Sequence, residues 1–257
     1  MSKVMIVTGG SRGIGAAITR QAAAAGYAVA INFTRARDRA EALVKEIGAA
    51  GGKAICVQAD VAKEADVEHL FAETASALGK PDVLVNNAGV SVTTSIADCK
   101  AADIDTILGV NVRGLILASR AAVRAMSTAR GGKGGVIVNI SSISALYGGL
   151  PQDVIYAASK GAVDSFTRGL AKEIAKEGIR VCTVRPGLTD TEMLDADFGP
   201  GQAAEAARRT VPLGRIGQPD DIASAVIYLA SEAASYITGT FLNVSGAREI
   251  NVKTASG

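Results

Sequence analysis

Tyr156-Ala-Ala-Ser-Lys160 is the first pairing in this chain whose residue types and spacing could do chemistry. Within a helix, residues four apart share a face. An ammonium beside a phenol favours the phenolate and lowers its pKa. A phenol starts near pKa ~10, so it needs that help to exchange protons near neutrality. Taken alone, the pair is also an ordinary feature of an exposed helix. Ser141-Ser142 follows directly on the apolar run 136–140. A hydroxyl at the carboxyl end of a strand can hydrogen-bond a substrate oxygen, and it can equally cap a helix or close a turn. Asn86-Asn87-Ala88-Gly89 ends another apolar run, and Asn111 stands in an apolar helical stretch. Leaving a buried Asn unpaired would cost roughly 1–3 kcal/mol. Asn111 is therefore read either as part of a structural network or as an element of a proton relay.

The glycines add a binding function. Thr8-Gly9-Gly10-Ser11-Arg12-Gly13-Ile14-Gly15 lies between a strand-like and a helix-like segment. Such a turn lets backbone N–H groups approach a pyrophosphate, and the helix start adds positive potential. A phosphate-binding P-loop needs Lys-Ser/Thr after its last glycine, whereas Ala16-Ala17 follows Gly15. The second strand ends in Asn32-Phe33-Thr34-Arg35, with no carboxylate before Asp38. An acidic side chain at that point would bind ribose hydroxyls and repel a 2′-phosphate. Arg35 offers a planar, permanently charged fork instead, and Arg12 approaches from the other side. NADP(H) is expected as the preferred cofactor, with NAD(H) possible.

Other chemistries find little support. There is no Gly-x-Ser-x-Gly elbow, and His69, the only histidine, is expected on a solvated helix face, which disfavours a serine hydrolase. One histidine and three scattered cysteines do not make a metal site. Cys56 and Cys182 lie in apolar runs and are expected to be reduced core residues. The net charge of +2 is spread along the chain, so no nucleic-acid partner is expected. No signal peptide and no uncharged apolar window of about 18 residues is visible, which leads to the expectation of a cytoplasmic protein without a membrane span.

These residues need elements to position them. Strand-like runs at 4–8, 28–33, 53–58, 82–86, 136–141, 179–184 and 240–244 alternate with helix-like runs. The latter cover 16–25, 37–50, 63–78, 103–126, 156–177 and 220–231. Continuous apolar strands alternating with helices imply an α/β fold, with a parallel, doubly wound sheet covered on both faces. No linker or repeat interrupts the chain, so residues 1–247 are read as one domain and 248–257 as a flexible polar tail. The least regular stretch, 189–211, is expected to form a lid, with Gly199-Pro200-Gly201 as its hinge.

Together these residues resemble the short-chain dehydrogenase/reductase family over about residues 3–246. The resemblance rests on Thr8-Gly9-x-x-x-Gly13-x-Gly15, Asp60-Val61, Asn86-Asn87-Ala88-Gly89, Asn111, Ser142, Tyr156-x-x-x-Lys160 and Pro186-Gly187. Each motif is weak alone; all of them in order are specific. The resemblance implies a seven-stranded Rossmann-type sheet. It implies that Ser142 orients the substrate oxygen and that Tyr156 exchanges its proton. Lys160 would tune Tyr156 and bind the nicotinamide ribose, and Asn111 would hold a relay water. Gly9, Ser11, Arg12, Ile14, Asp60, Val61, Asn87, Ala88, Gly89, Pro186, Gly187 and Thr189 would line the cofactor. It also implies a homo-oligomer, most simply a tetramer. Bacterial 3-oxoacyl-[acyl-carrier-protein] reductases and sugar dehydrogenases look similar. Two departures stand out: a longer loop between Ser142 and Tyr156, containing Leu150-Pro151-Gln152-Asp153, and the tail past Gly246.

Three functions compete. An active reductase or dehydrogenase of small carbonyls or alcohols uses every residue above. A non-catalytic dinucleotide-binding protein often loses the acid/base set, which is present here. An epimerase or dehydratase would need a further substrate domain.

Overall fold

The computed structural model describes residues 2–194, 205 and 209–249. Seven parallel strands form one sheet in the order β3-β2-β1-β4-β5-β6-β7. They are β1 (Val4–Val7), β2 (Ala28–Phe33), β3 (Ala54–Gln58), β4 (Val83–Asn86), β5 (Gly135–Ile140), β6 (Ile179–Pro186) and β7 (Phe241–Val244). The helices are α1 (Gly13–Ala24), α2 (Arg37–Ala49), α3 (Glu64–Ala77), α4 (Ala101–Leu108), α5 (Leu115–Met126), α6 (Ser144–Tyr147), α7 (Val154–Ile174) and α8 (Pro219–Ala230).

The period-2 geometry of a strand divides each apolar run between two cores. Met5, Val7, Val29, Ile31, Val136 and Val138 pack on one face, under α1, α2 and α8. Ile6, Ala30, Leu84, Ile137 and Val181 pack on the other, under α3, α5 and α7. Every residue of β1 and β2 is buried because both faces are covered. The strand order reverses between β1 and β4, and ligands of such sheets bind outside the carboxyl ends at that switch.

The strands expected from the sequence are all present, with ends shifted by a residue or two. The helix expected over 103–126 is corrected. It begins at Ala101 and is broken by a π-helical turn, Gly109–Gly114, before resuming as α5. The whole run, Ala101–Met126, is long and apolar enough to cross a membrane by length and composition, but 44% of its most apolar window is buried within the fold. The helix expected from Tyr156 starts two residues earlier, and a 3-10 turn, Ala175–Glu177, takes over its last residues. Short α6 was not expected. Most of the expected lid, its Gly199-Pro200-Gly201 hinge and residues 250–257 of the tail lie outside the described residues.

Candidate active site and cofactor cradle

The ends of β1 and β4 are stapled by side chains. Thr8 Oγ1 accepts the backbone N–H groups of Asn87 and Ala88, each at 3.0 Å. Asn87 Nδ2 in turn donates to the carbonyls of Thr8 and Gly9, each at 3.0 Å. Asn32 Oδ1 accepts Gly9 N–H at 3.1 Å, and its Nδ2 reaches Ala59 O at 2.9 Å, joining β2 and β3 to the same turn. A Cβ on Gly15 would stand 2.2 Å from Gly9 O and 2.6 Å from Asn87 Nδ2, so α1 meets the turn only through a bare backbone. Arg12 is the N-cap of α1 and gives the first turn no side-chain bond. The N–H groups at that end therefore face outward as an anion cradle. The residues present fit a dinucleotide pyrophosphate.

Ser11 and Val61 are buried, and Ile14 and Asp60 are half-buried. Asp60 Oδ1 accepts Ala62 N–H at 3.1 Å. Pro186 ends β6, and Gly187 N–H follows it into a bond with Val244 O at 2.9 Å. Thr189 is buried, donates to Gly187 O at 3.1 Å and bridges to Gly217. Arg35 and Arg12 are both exposed. Arg12 Nη1 pairs with Glu192 at 2.7 Å, and Arg39 pairs with the same carboxylate. Those guanidiniums, Arg39 foremost, hold the Glu192 carboxyl below its usual range.

The residues expected to do acid/base work lie at and beyond the ends of β4 and β5. Lys160 Nζ is buried, donates to Ile140 O at 3.0 Å and lies 5.4 Å from the centroid of the Tyr156 ring. Burial pulls the Lys160 pKa from 10.5 down to about 8, against an opposing pull from Asp164. A Cβ on Gly89 would be 3.5 Å from both Lys160 Nζ and Asn111 Oδ1, so these two atoms border one small space. Asn111 is buried in the π-helical turn. Its Oδ1 accepts Val90 N–H at 2.9 Å, and its Nδ2 donates to Val90 O at 2.9 Å and Ser159 Oγ at 3.0 Å. Ser142 Oγ accepts Ser144 N–H at 3.1 Å, the turn-closing role left open by the sequence. That bond leaves its hydroxyl proton for another acceptor. Ser141 Oγ donates to Lys160 O at 3.2 Å.

Several contributors were missed by sequence reasoning. Thr8 and Asn32 were read as strand ends, yet their side chains hold the turn. Asp164 lies four residues after Lys160, a spacing that could have flagged it. Its Oδ2 accepts Arg185 Nε at 3.0 Å and Nη2 at 2.7 Å in a buried ion pair. Arg39 and Glu192 left no sequence signal, being far apart in the chain. His69 is exposed, as expected. Cys182 is buried, whereas Cys56, on edge strand β3, is only half-buried. Among the described residues no group of three metal-ligating side chains comes together.

A doubly wound sheet with a glycine cradle at its switch and a Ser-Tyr-Lys set beside it defines a dinucleotide-dependent oxidoreductase. A family model described as "Enoyl-(Acyl carrier protein) reductase" matches residues 9–246. The uncharacterized oxidoreductase YgfF of Escherichia coli (strain K12) is 40% identical over 250 residues, covering 95% of this chain and 99% of that protein. A 3-oxoacyl-[acyl-carrier-protein] reductase of Synechocystis sp. is 38% identical over 246 residues, covering 95% of this chain and 96% of the relative. A short-chain dehydrogenase from Burkholderia cenocepacia, solved in complex with NADP, superposes with a TM-score of 0.89 at 41% identity, covering 96% of this chain and 97% of that one. The chain belongs to the short-chain dehydrogenase/reductase family. It is an NAD(P)-dependent enzyme acting on CH–OH and C=O groups.

Proposed function

We propose that this enzyme uses NADP(H) and a small carbonyl or alcohol substrate, with Tyr156 as general acid and base. The observation that carries this reading is the burial of Lys160 beside the Tyr156 ring, on one helix face. When bound, the nicotinamide cofactor donates or accepts the hydride. In reduction, Tyr156 gives its phenolic proton to the substrate oxygen; in oxidation it takes that proton back. The Lys160 ammonium stabilises the phenolate that forms in between. Ser142 donates its free hydroxyl proton to the same substrate oxygen and orients it. Asn111 fixes the loop after β4 to α7, and the second lone pair of its Oδ1 holds a relay water beside Lys160.

Gly9, Ser11, Arg12, Ile14, Asp60, Val61, Asn87, Ala88, Gly89, Pro186, Gly187 and Thr189 hold the cofactor, together with Tyr156 and Lys160. The preference for NADP(H) is supported by the absence of a carboxylate at the end of β2 and by Arg12 and Arg35 on either side of it. The NADP complex of the Burkholderia relative supports it as well. Residues 1–247 act as a single catalytic domain that assembles as a homotetramer. Free thiols at Cys56, Cys99 and Cys182 suit a cytoplasmic enzyme.

Tyr156→Phe tests the chemical assignment. Turnover is expected to fall by ~10²–10⁴-fold while NADPH affinity, read by calorimetry, stays within about twofold. Turnover within a few-fold of the parent would remove Tyr156 from its role.

A further inference from the structure

Two arginines of the cofactor region share one carboxylate. Glu192 Oε2 accepts Arg12 Nη1 at 2.7 Å, and its Oε1 accepts Arg39 Nη1. Arg12 belongs to the glycine-rich turn and Arg39 to the first turn of α2, just past the end of β2. That strand end is where a dinucleotide fold places the adenosine ribose. Among the described residues, Glu192 is the only carboxylate that either arginine meets. Arg20, on the wall of the same cleft, is already committed to Glu46 at 2.8 Å. The cleft is open to solvent, offers about 300 Å³ and is lined by Ser11, Arg12, Arg20, Arg39 and Glu46 among others. That far exceeds the roughly 30 Å³ share of one water.

Glu192 reaches this place on a short strap. Thr189 bridges to Gly217, and Asp190 N–H donates to Gly217 O at 2.9 Å. The Thr191 methyl would lie 3.5 Å from a Cβ on Gly13. The chain from Thr189 to Glu192 thus lies across the glycine-rich turn and sets one negative charge between two guanidiniums. All three side chains are more than half exposed, so the pairs are open to exchange and add little to fold stability. A phosphate monoester carries about −1.5 to −2 charge and three acceptor oxygens, a closer match to two guanidiniums than one carboxylate.

We propose that Arg12 and Arg39 together clamp the 2′-phosphate of NADP(H), and that Glu192 occupies the clamp as an internal anion which the 2′-phosphate displaces. The proposal rests on the NADP(H) reading above and adds Arg39 and Glu192 to the residues that set cofactor choice. NADP(H) must evict Glu192 and so binds less tightly than the bare clamp would allow. NAD(H), which lacks the 2′-phosphate, leaves Glu192 where it is. Only the phosphorylated cofactor then has a differential interaction that frees the strap.

The test is the binding of NADPH and NADH to the parent, Glu192→Gln, Arg39→Ala and the double variant by titration calorimetry. Glu192→Gln is expected to tighten NADPH about three- to tenfold and to leave NADH unchanged. Arg39→Ala is expected to weaken NADPH about tenfold, again without effect on NADH, whose binding also reports that each variant is folded. In the double variant most of the Glu192→Gln gain should vanish, because the clamp it unblocks is gone. If NADPH affinity does not rise in Glu192→Gln, or NADH affinity rises equally, Glu192 does not compete with the 2′-phosphate and the proposal fails. Parent preference for NADPH with no loss in Arg39→Ala removes the clamp but keeps the cofactor reading. Parent preference for NADH overturns both.

Discussion

Burying the Lys160 ammonium takes it out of water, and the Ile140 carbonyl, the face of the Tyr156 ring and the field of Asp164 stand against that loss. The lysine titrates near 10.5 when exposed and near 8 in the fold. Below about pH 8 it is charged in both states, and the folded state carries the full desolvation cost. Between 8 and 10.5 the folded lysine is neutral while the unfolded one is still charged, so the cost shrinks as pH rises; above both values it is gone. At ~1.36 kcal/mol per pKa unit the cost near neutrality is about 3 kcal/mol. Lys160→Met removes the charge but forfeits a hydrogen bond worth about 1 kcal/mol. It is expected to raise unfolding free energy at pH 7 by about 2 kcal/mol while abolishing turnover, and to lose that gain as the pH approaches 10.5. Urea unfolding of both proteins across this range checks it, and a destabilised variant at pH 7 would contradict the argument. Much at this scale could be read in advance. Tyr156, Lys160, Ser142 and Asn111 are chemistry-bearing types at motif spacings. Asp164 and Arg185 could not be paired beforehand, because their contact depends on how α7 sits on β6.

At the scale of elements, Asn111 explains why one expected helix is three pieces. Buried Ile107, Asn111 and Leu115 follow one another at intervals of four, wider than the alternation of three and four that keeps an α-helix stripe straight. A π-helical turn accommodates the wider step, and such turns gather at functional sites. The Asn111 amide then bonds Val90 and Ser159, tying the loop after β4 to α7. The apolar pattern on both sides of the turn looked like one helix, since a shift of a single residue barely disturbs hydrophobic periodicity. Asn111→Ala strips partners from both polar groups of Val90. It is expected to cost about 2–3 kcal/mol of stability and to speed amide exchange at Val90 well beyond that of the sheet. Val90 exchange unchanged from the parent would mean that the turn holds its shape without the amide. The Gly-rich turn was readable because glycine is demanded by contact: no side chain fits between Gly15 and Gly9. The strap carrying Glu192 was not readable, because an ion pair across 180 residues has no local pattern.

The whole molecule leaves apolar surface that its own cores do not use. Leu108 and Ile116 are 41% and 39% exposed on α4 and α5, facing away from the sheet, and Tyr228 on α8 is 45% exposed. Among the described residues strand β7 pairs only with β6, which leaves its other edge without a neighbouring strand, and all four of its residues are only half-buried. An unpaired edge with apolar side chains invites association unless another surface covers it. These features lie on two separate faces, the α4–α5 side and the β7–α8 side. Two distinct self-complementary contacts whose two-fold axes cross at right angles close into a tetramer, the commonest closed assembly after the dimer. Light scattering at micromolar concentration is therefore expected to give four times the chain mass. Ile116→Asp places a charge in one contact only and is expected to yield dimers that keep the fold and the NADPH affinity. A parent that scatters as a monomer would falsify the assembly, and an Ile116→Asp variant that stays tetrameric would move the first contact off α5.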